Sequence, residues 1–502
     1  MEIAKEISRD KRKSFLPIAG ILILGTLLRV FRLDQQSFWA DEVTSIWKVD
    51  GLHGSIFENL SHTFHGPLHM AILGLWGRLG GFGEIWTRSL SVITGLLGIW
   101  LIYILARRLA GERIAQLSAL LMAVAPFHIW YSQEVRNYAQ LITLSILSMI
   151  LLLRILDRGG IPNWIAFLLT SGALLLSNLA GAFLIAAQGI YLLMRRPKLA
   201  LRIILVMLVI LVLLIPWIKN FDIGWRPDMV GKEGAVRNIN FHPLAFVFTF
   251  SVYGIGDTVG PARDEMNRGL SADMFIPWLP YFAIAGAIVA FLFLRGLLSR
   301  RSKDEGLGFF LLWLLLPMII TAGLAILNVK AYNVRYVSVG YPAFLILMAA
   351  GLSALKPRLR MLFLAGLLAC TVVSLSGFYF NSRYWKPDAR QTAATLAERA
   401  EDGDLLLVYS IEEPFRHYYK GPGVVGGLNW ANPKHEIFEE YMEGWQANYE
   451  RVWLVDYRAW YADPQGLTKK AFAEKWREVE TLDFIGIEVK LFENPAKLLE
   501  EE

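Results

Sequence analysis

LGFFLLWLLLPMIITAGLAIL, residues 307–327, runs for 21 positions without a charged side chain. A helix rises about 1.5 Å per residue, so about 20 apolar residues cross the ~30 Å hydrocarbon core of a bilayer. FLPIAGILILGTLLRVF (15–31) and IILVMLVILVLLIPWI (203–218) are runs of the same kind. Hydrophobic residues make up 55% of the 502 positions and charged residues only 19%. These observations predict an all-α polytopic membrane protein.

Arginine and lysine decide the orientation, because cytoplasmic loops carry an excess of both. Basic clusters lie between apolar runs at Arg107/Arg108/Arg113, Arg154/Arg158, Arg195/Arg196/Lys198/Arg202, Arg295/Arg300/Arg301/Lys303 and Lys356/Arg358/Arg360. The basic stretch Arg9 to Lys13 precedes the first run, and no small-residue cleavage site follows it. It reads as an uncleaved first helix with a cytoplasmic N-terminus. GPLHMAILGLWGRLGGFG (66–83) is short and glycine-rich. If it crossed, every later basic cluster would face outward, so it is expected to lie as a helix at the outer interface. About eleven spans follow, near 15–31, 87–105, 113–127, 139–154, 163–178, 180–194, 203–218, 277–294, 307–327, 337–354 and 360–379. The outer face then receives 32–86, 128–138, 219–276, 328–336 and the tail.

Charge also marks a domain boundary near Tyr379. The whole chain is +6, but residues 381–502 hold 15 Lys+Arg against 23 Asp+Glu. Residues 1–379 are read as the transmembrane domain and 380–502 as a small soluble extracytoplasmic domain. In the tail, a helix pattern at Ala389–Arg399, strand-like runs at 405–409 and 452–456, and a helix near 468–477 predict an α/β fold. The basic pI of 9.1 belongs to the membrane anchoring loops and is no nucleic-acid signature. The single cysteine, Cys370, excludes an internal disulfide.

The polar residues crowd the outward segments. The first loop holds SFWADEVTSIW (37–47), with Asp41 and Glu42 adjacent, and His53, His62, His65 and His69. YSQEVRNY (131–138) contributes Glu134, Arg136 and Tyr138; NVKAYNVRY (328–336) contributes Lys330, Arg335 and Tyr336; Arg88 opens the helix at 87. An arginine fork donates two hydrogen bonds to a phosphate, and a carboxylate accepts the proton of an alcohol as a new bond forms. Acids and arginines together therefore suit an anionic headgroup and an acceptor hydroxyl. Taken singly, each residue also has an ordinary reading. Asp41 and Glu42 suit a helix N-terminus, Glu134 and Arg136 suit an ion pair, and Arg88 and Arg335 suit snorkelling anchors.

In order and spacing, WADE (39–42), HGPL (65–68), WTRSLS (86–91) and YSQEVRNY (131–138) resemble the GT-C membrane glycosyltransferases that use polyprenyl-phosphate sugars. That group includes protein O-mannosyltransferases and aminoarabinose-to-lipid A transferases. NVRY (333–336) and WKPDAR (385–390) are similar to the bacterial and archaeal branch. The resemblance implies an inverting transfer from a polyprenyl-phosphate donor, on the outer leaflet, to a lipid, glycan or protein hydroxyl. It implies catalytic roles for Asp41, Glu42 and Glu134, and substrate contacts from Arg88, Arg136, Tyr138, His65, Arg335, Tyr336 and Lys330. One departure stands out: the family's frequent proline pair is Gly66–Pro67 here. No cofactor is called for, and no tight ligand spacing demands a metal, although histidines and acids sharing the first loop could take a divalent ion. The rival reading, a transporter or flippase of lipid-linked sugars, predicts charges within the spans and paired broken helices.

Overall fold

The computed structural model describes residues 2–52, 66–219, 241–262, 265–266, 271–299, 306–409, 412–428, 435–459, 463 and 465–498. Its membrane part is α1 (Glu2–Val30), α2 (Ala40–Trp47), α3 (Pro67–Gly80), α4 (Glu84–Ala110), α5 (Glu112–Val124), α6 (Pro126–Ser132), α7 (Tyr138–Arg158), α8 (Ile161–Ser177), α9 (Gly181–Arg195), α10 (Pro197–Lys219), α11 (Leu244–Ile255), α12 (Leu279–Ser299), α13 (Gly306–Ile326), α14 (Tyr341–Ser353) and α15 (Pro357–Phe380). The eleven apolar runs fall largely in these helices, with 277–278 and 337–340 in 3-10 turns. By length and composition, six helices among the described residues are long and apolar enough to cross a membrane, or seven if the bent pair α5–α6 is one span. Several runs expected to span sit in shorter apolar helices, including Leu16–Val30, Ile161–Ser177 and Gly181–Met194. The segment 66–83 is the 14-residue α3. The sequence also hid α11, a 12-residue apolar helix inside the expected outer segment 219–276.

The break between α5 and α6 has a readable cause. Pro126 has no N–H to donate to the carbonyl of Met122, and the two helices diverge by 59°. The freed carbonyls are taken by a buried side chain from α1. Arg29 donates from Nη2 to Met122 O (3.1 Å) and from Nη1 to Ala123 O (2.9 Å). The turn sends residues 131–137 back beside α2, where the polar residues gather.

In the tail, α16 (Ala389–Arg399) leads into a five-stranded sheet of β1 (Leu405–Tyr409), β2 (Val424–Leu428), β3 (Arg451–Asp456), β4 (Arg477–Phe484) and β5 (Ile487–Glu493), ordered β2-β1-β3-β5-β4. β1 pairs in parallel with both β2 and β3, while β3/β5 and β4/β5 are antiparallel. Every β1 residue is buried, which is why LLLVY is a continuous apolar run rather than an alternating one. Separate apolar clusters cover the two faces. One is built on Leu406, Val408 and Trp453, the other on Leu405, Leu407 and Phe472.

Candidate active site

Helix α2 organises the site by sending its two acids in different directions. The Trp39 N–H donates to Glu42 Oε2 (3.3 Å), so the Glu42 carboxylate folds back over the start of its own helix. Glu42 is fully buried, and Arg88 grips it from Nε to Oε1 (3.1 Å) and from Nη2 to Oε2 (3.2 Å). Val135 N–H (3.0 Å) and Lys386 Nζ (3.0 Å) complete the shell. Burial pushes this carboxyl up, but Arg88 and then Lys386 outweigh it and hold it down at about 2. The remaining Arg88 donors go to the carbonyls of Leu33, Gln36 and Ser37. All the Arg88 donors are thus engaged within the protein. They tie the first loop to α4.

Asp41 faces the other way, with its side chain 36% exposed. Arg335 Nη1 lies 3.3 Å and Arg136 Nη2 3.9 Å from Asp41 Oδ2. Arg136 Nη1 also donates to Asp41 O (3.1 Å) and Ser45 Oγ (3.0 Å). Arg335 is the second residue of a 3-10 turn (Val334–Gly340) whose N-cap, Asn333, accepts from the Arg335 N–H. Its guanidinium lies over the rings of Tyr138 (5.9 Å) and Tyr336 (5.8 Å), and Lys330 Nζ over Tyr336 (5.6 Å). The Nε of Arg136, the Nε of Arg335 and the Nε1 of Trp39 are buried without a hydrogen-bond partner. Orphaned buried donors are costly, and two of these belong to the arginines that flank the Asp41 carboxylate.

Beside Arg136, the His69 tautomer follows from a chain of donors. Ser177 Oγ donates to Ala173 O, so it accepts from Gln140 Nε2 (2.9 Å). Gln140 Oε1 is then left to accept from His69 Nδ1 (3.0 Å). That makes His69 Nε2 a buried, unpartnered acceptor. Burial first, and the Arg136 charge after it, lower this imidazole to about 4 against the donation to Gln140, so it is neutral at pH 7. The glycine that departs from the proline pair is also explained. Gly66 has φ +50, and a Cβ there would lie 2.1 Å from Ser177 O. Proline, locked near φ −65°, cannot adopt that backbone. His65, with His53 and His62, lies outside the described residues. Among the described residues no group of three His, Cys, Asp or Glu could hold a metal ion.

Glu134 lies on the Glu42 side, in a half-open cleft lined by Arg32, Gln36, Trp130, Gln133, Phe378 and Lys386. It accepts from Trp130 Nε1 (2.6 Å) and pairs with Lys386 (3.5 Å). Sequence reasoning missed Lys386 as a site residue, although it stands in the quoted WKPDAR stretch. It also missed the clasp around it. Ser37 Oγ donates to Pro387 O (2.9 Å), Lys386 N–H to Gln36 Oε1 (3.0 Å), and Phe38 N–H to the Tyr418 hydroxyl (2.7 Å). Arg390 and Tyr418 both hold Glu84 at the start of α4.

Residues 64–219 match the family model of dolichyl-phosphate-mannose-protein mannosyltransferases. The fold is similar to that of ArnT from Cupriavidus metallidurans in the apo state, with a TM-score of 0.59 and 16% identity over 96% of this chain and 98% of that one. The same protein bound to undecaprenyl phosphate gives a TM-score of 0.57 and 15% identity, over 95% and 97% of the two chains. The oligosaccharyltransferase of Archaeoglobus fulgidus tethered with an acceptor peptide gives 0.51 and 12%, over 88% and 69%. No curated protein matches the sequence. The resemblance read from the motifs is thus met twice, in a family model and in the fold.

Proposed function

We propose that the chain is a membrane glycosyltransferase. It moves a sugar from a polyprenyl-phosphate donor to a lipid, glycan or protein hydroxyl at the outer face of the cell membrane, inverting the anomeric centre. The observation that carries this reading is the convergence of Arg136 and Arg335 on one carboxylate, each with a buried Nε left over. Two cations against one anion suit a further anionic ligand, and a phosphate presents several acceptor oxygens to guanidinium forks. As the donor phosphate draws the arginines, Asp41 is released from its ion pairs. The acceptor oxygen then bonds to the anomeric carbon while the bond from that carbon to the phosphate oxygen breaks. The electron pair leaves on the phosphate, and the hydroxyl proton passes to Asp41. The likeness to a protein solved with undecaprenyl phosphate bound supports the same class of donor. In this scheme eleven segments cross the membrane, with the N-terminus inside and the tail outside.

The test is sugar transfer by purified protein from a panel of polyprenyl-phosphate sugars, with Asp41→Asn alongside. The substitution keeps shape but cannot take a proton. Loss of general-base help costs about 10²- to 10⁴-fold, and turnover near wild type at saturating donor would sink the assignment of Asp41. The scheme invokes no divalent ion, and turnover with and without a chelator checks that point.

A further inference from the structure

We propose that Lys386, delivered by the segment that opens the soluble domain, is the positioning residue that holds the Glu134 and Glu42 carboxylates together, so that the docked tail is part of the active unit. For its catalytic half this rests on the transferase reading above.

Glu134 is 3% exposed. The charged groups around it are Lys386 from the tail, Glu42 from α2, Arg88 from α4 and Arg32 from the loop after α1. Arg88 has spent its donors on Glu42 and three carbonyls. The Arg32 guanidinium is turned to the Tyr379 carbonyl and lies 4.6 Å from the Phe380 ring centre. Glu42 is a second negative charge on the same ammonium. Among the described residues, Lys386 is therefore the cation paired with Glu134, and the further donor to its carboxylate is the Trp130 indole. The ammonium is itself fixed: it is 10% exposed, it bridges to Glu42, and it lies 5.8 Å from the Trp39 ring centre. Its backbone is clasped by Gln36 and, through Pro387, by Ser37. Pulling the tail away would withdraw the lysine and leave two buried acids beside one arginine.

The test uses full-length protein in micelles and compares the melting temperatures of wild type, Lys386→Met, Glu134→Gln and Lys386→Met/Glu134→Gln. Removing one partner of a buried pair strands the other charge, so Lys386→Met is expected to melt well below wild type and the added Glu134→Gln to recover part of that loss. Strictly additive effects of the two substitutions overturn the pairing. The activity arm follows kcat/KM, which is expected to fall in Lys386→Met and to be largely restored in Lys386→Arg, which keeps the cation. Wild-type kcat/KM in Lys386→Met overturns the positioning role. If wild type transfers no sugar from any donor, the transferase reading fails, and the melting comparison still decides the Lys386–Glu134 pairing.

Discussion

Successive residues on an α-helix point about 100° apart, and at Asp41 and Glu42 that turn separates two kinds of carboxylate. Glu42 is buried and held by Arg88 in a two-pronged ion pair. Asp41 is partly exposed and lies beside donors that the protein leaves unsatisfied. A sequence shows the pair of acids but not the direction of either. For the same reason Arg88 looked equivalent to Arg136 and Arg335 until its neighbours were visible. The distinction is testable at the arginines. Arg136→Ala or Arg335→Ala removes donors to the proposed phosphate. A lost hydrogen bond to a charged group costs about 1.5–3 kcal/mol, or roughly 10- to 150-fold. Donor KM is expected to rise in that range, with only partial rescue by lysine, which lacks the planar fork. Unchanged donor dependence in both variants would reduce them to anchors.

At the scale of elements, legibility followed continuous apolar character. The apolar runs of α7, α13 and α15 and the doubly buried β1 announced themselves, as did α16 and β3. β2 (VVGGL) hid behind two glycines, and β4 (REVETLDF) behind the charges on its exposed positions. The α5–α6 break is legible at Pro126, but its cap is not, because Arg29 arrives from almost a hundred residues away in sequence. A helix C-terminus presents unsatisfied carbonyls and partial negative charge, which suits a guanidinium. Arg29→Met would leave the Met122 and Ala123 carbonyls without their donor in a dry interior. The expected outcome is a lowered melting temperature together with lost transfer, because α6 leads directly to Glu134 and Arg136. Lysine, with a single nitrogen, is expected to restore only part of either. A wild-type melting curve for Arg29→Met would mean that proline alone holds the bend.

For the whole molecule, the arrangement is set by charge. The membrane part is strongly basic, the tail is acidic, and the basic clusters fall between alternate apolar runs. The clasp from Gln36, Ser37, Phe38 and Glu84 to Lys386, Pro387, Tyr418 and Arg390 ties the tail to the first loop. The loop and the tail must therefore share one side of the membrane, whichever side that is. Positive-inside reasoning predicts the outer one. The chain offers a convenient check, because its single cysteine, Cys370, is buried. In a Cys370→Ser background, Lys420→Cys introduces a thiol at an exposed tail position, and Arg158→Cys does so at the end of α7 beside a predicted cytoplasmic loop. A membrane-impermeant maleimide applied to intact cells is expected to label the first and to reach the second only after permeabilisation. The reverse pattern would turn the molecule over and place Asp41 on the cytoplasmic face. Labelling of both in intact cells would break the alternation of spans from which the outer site was deduced.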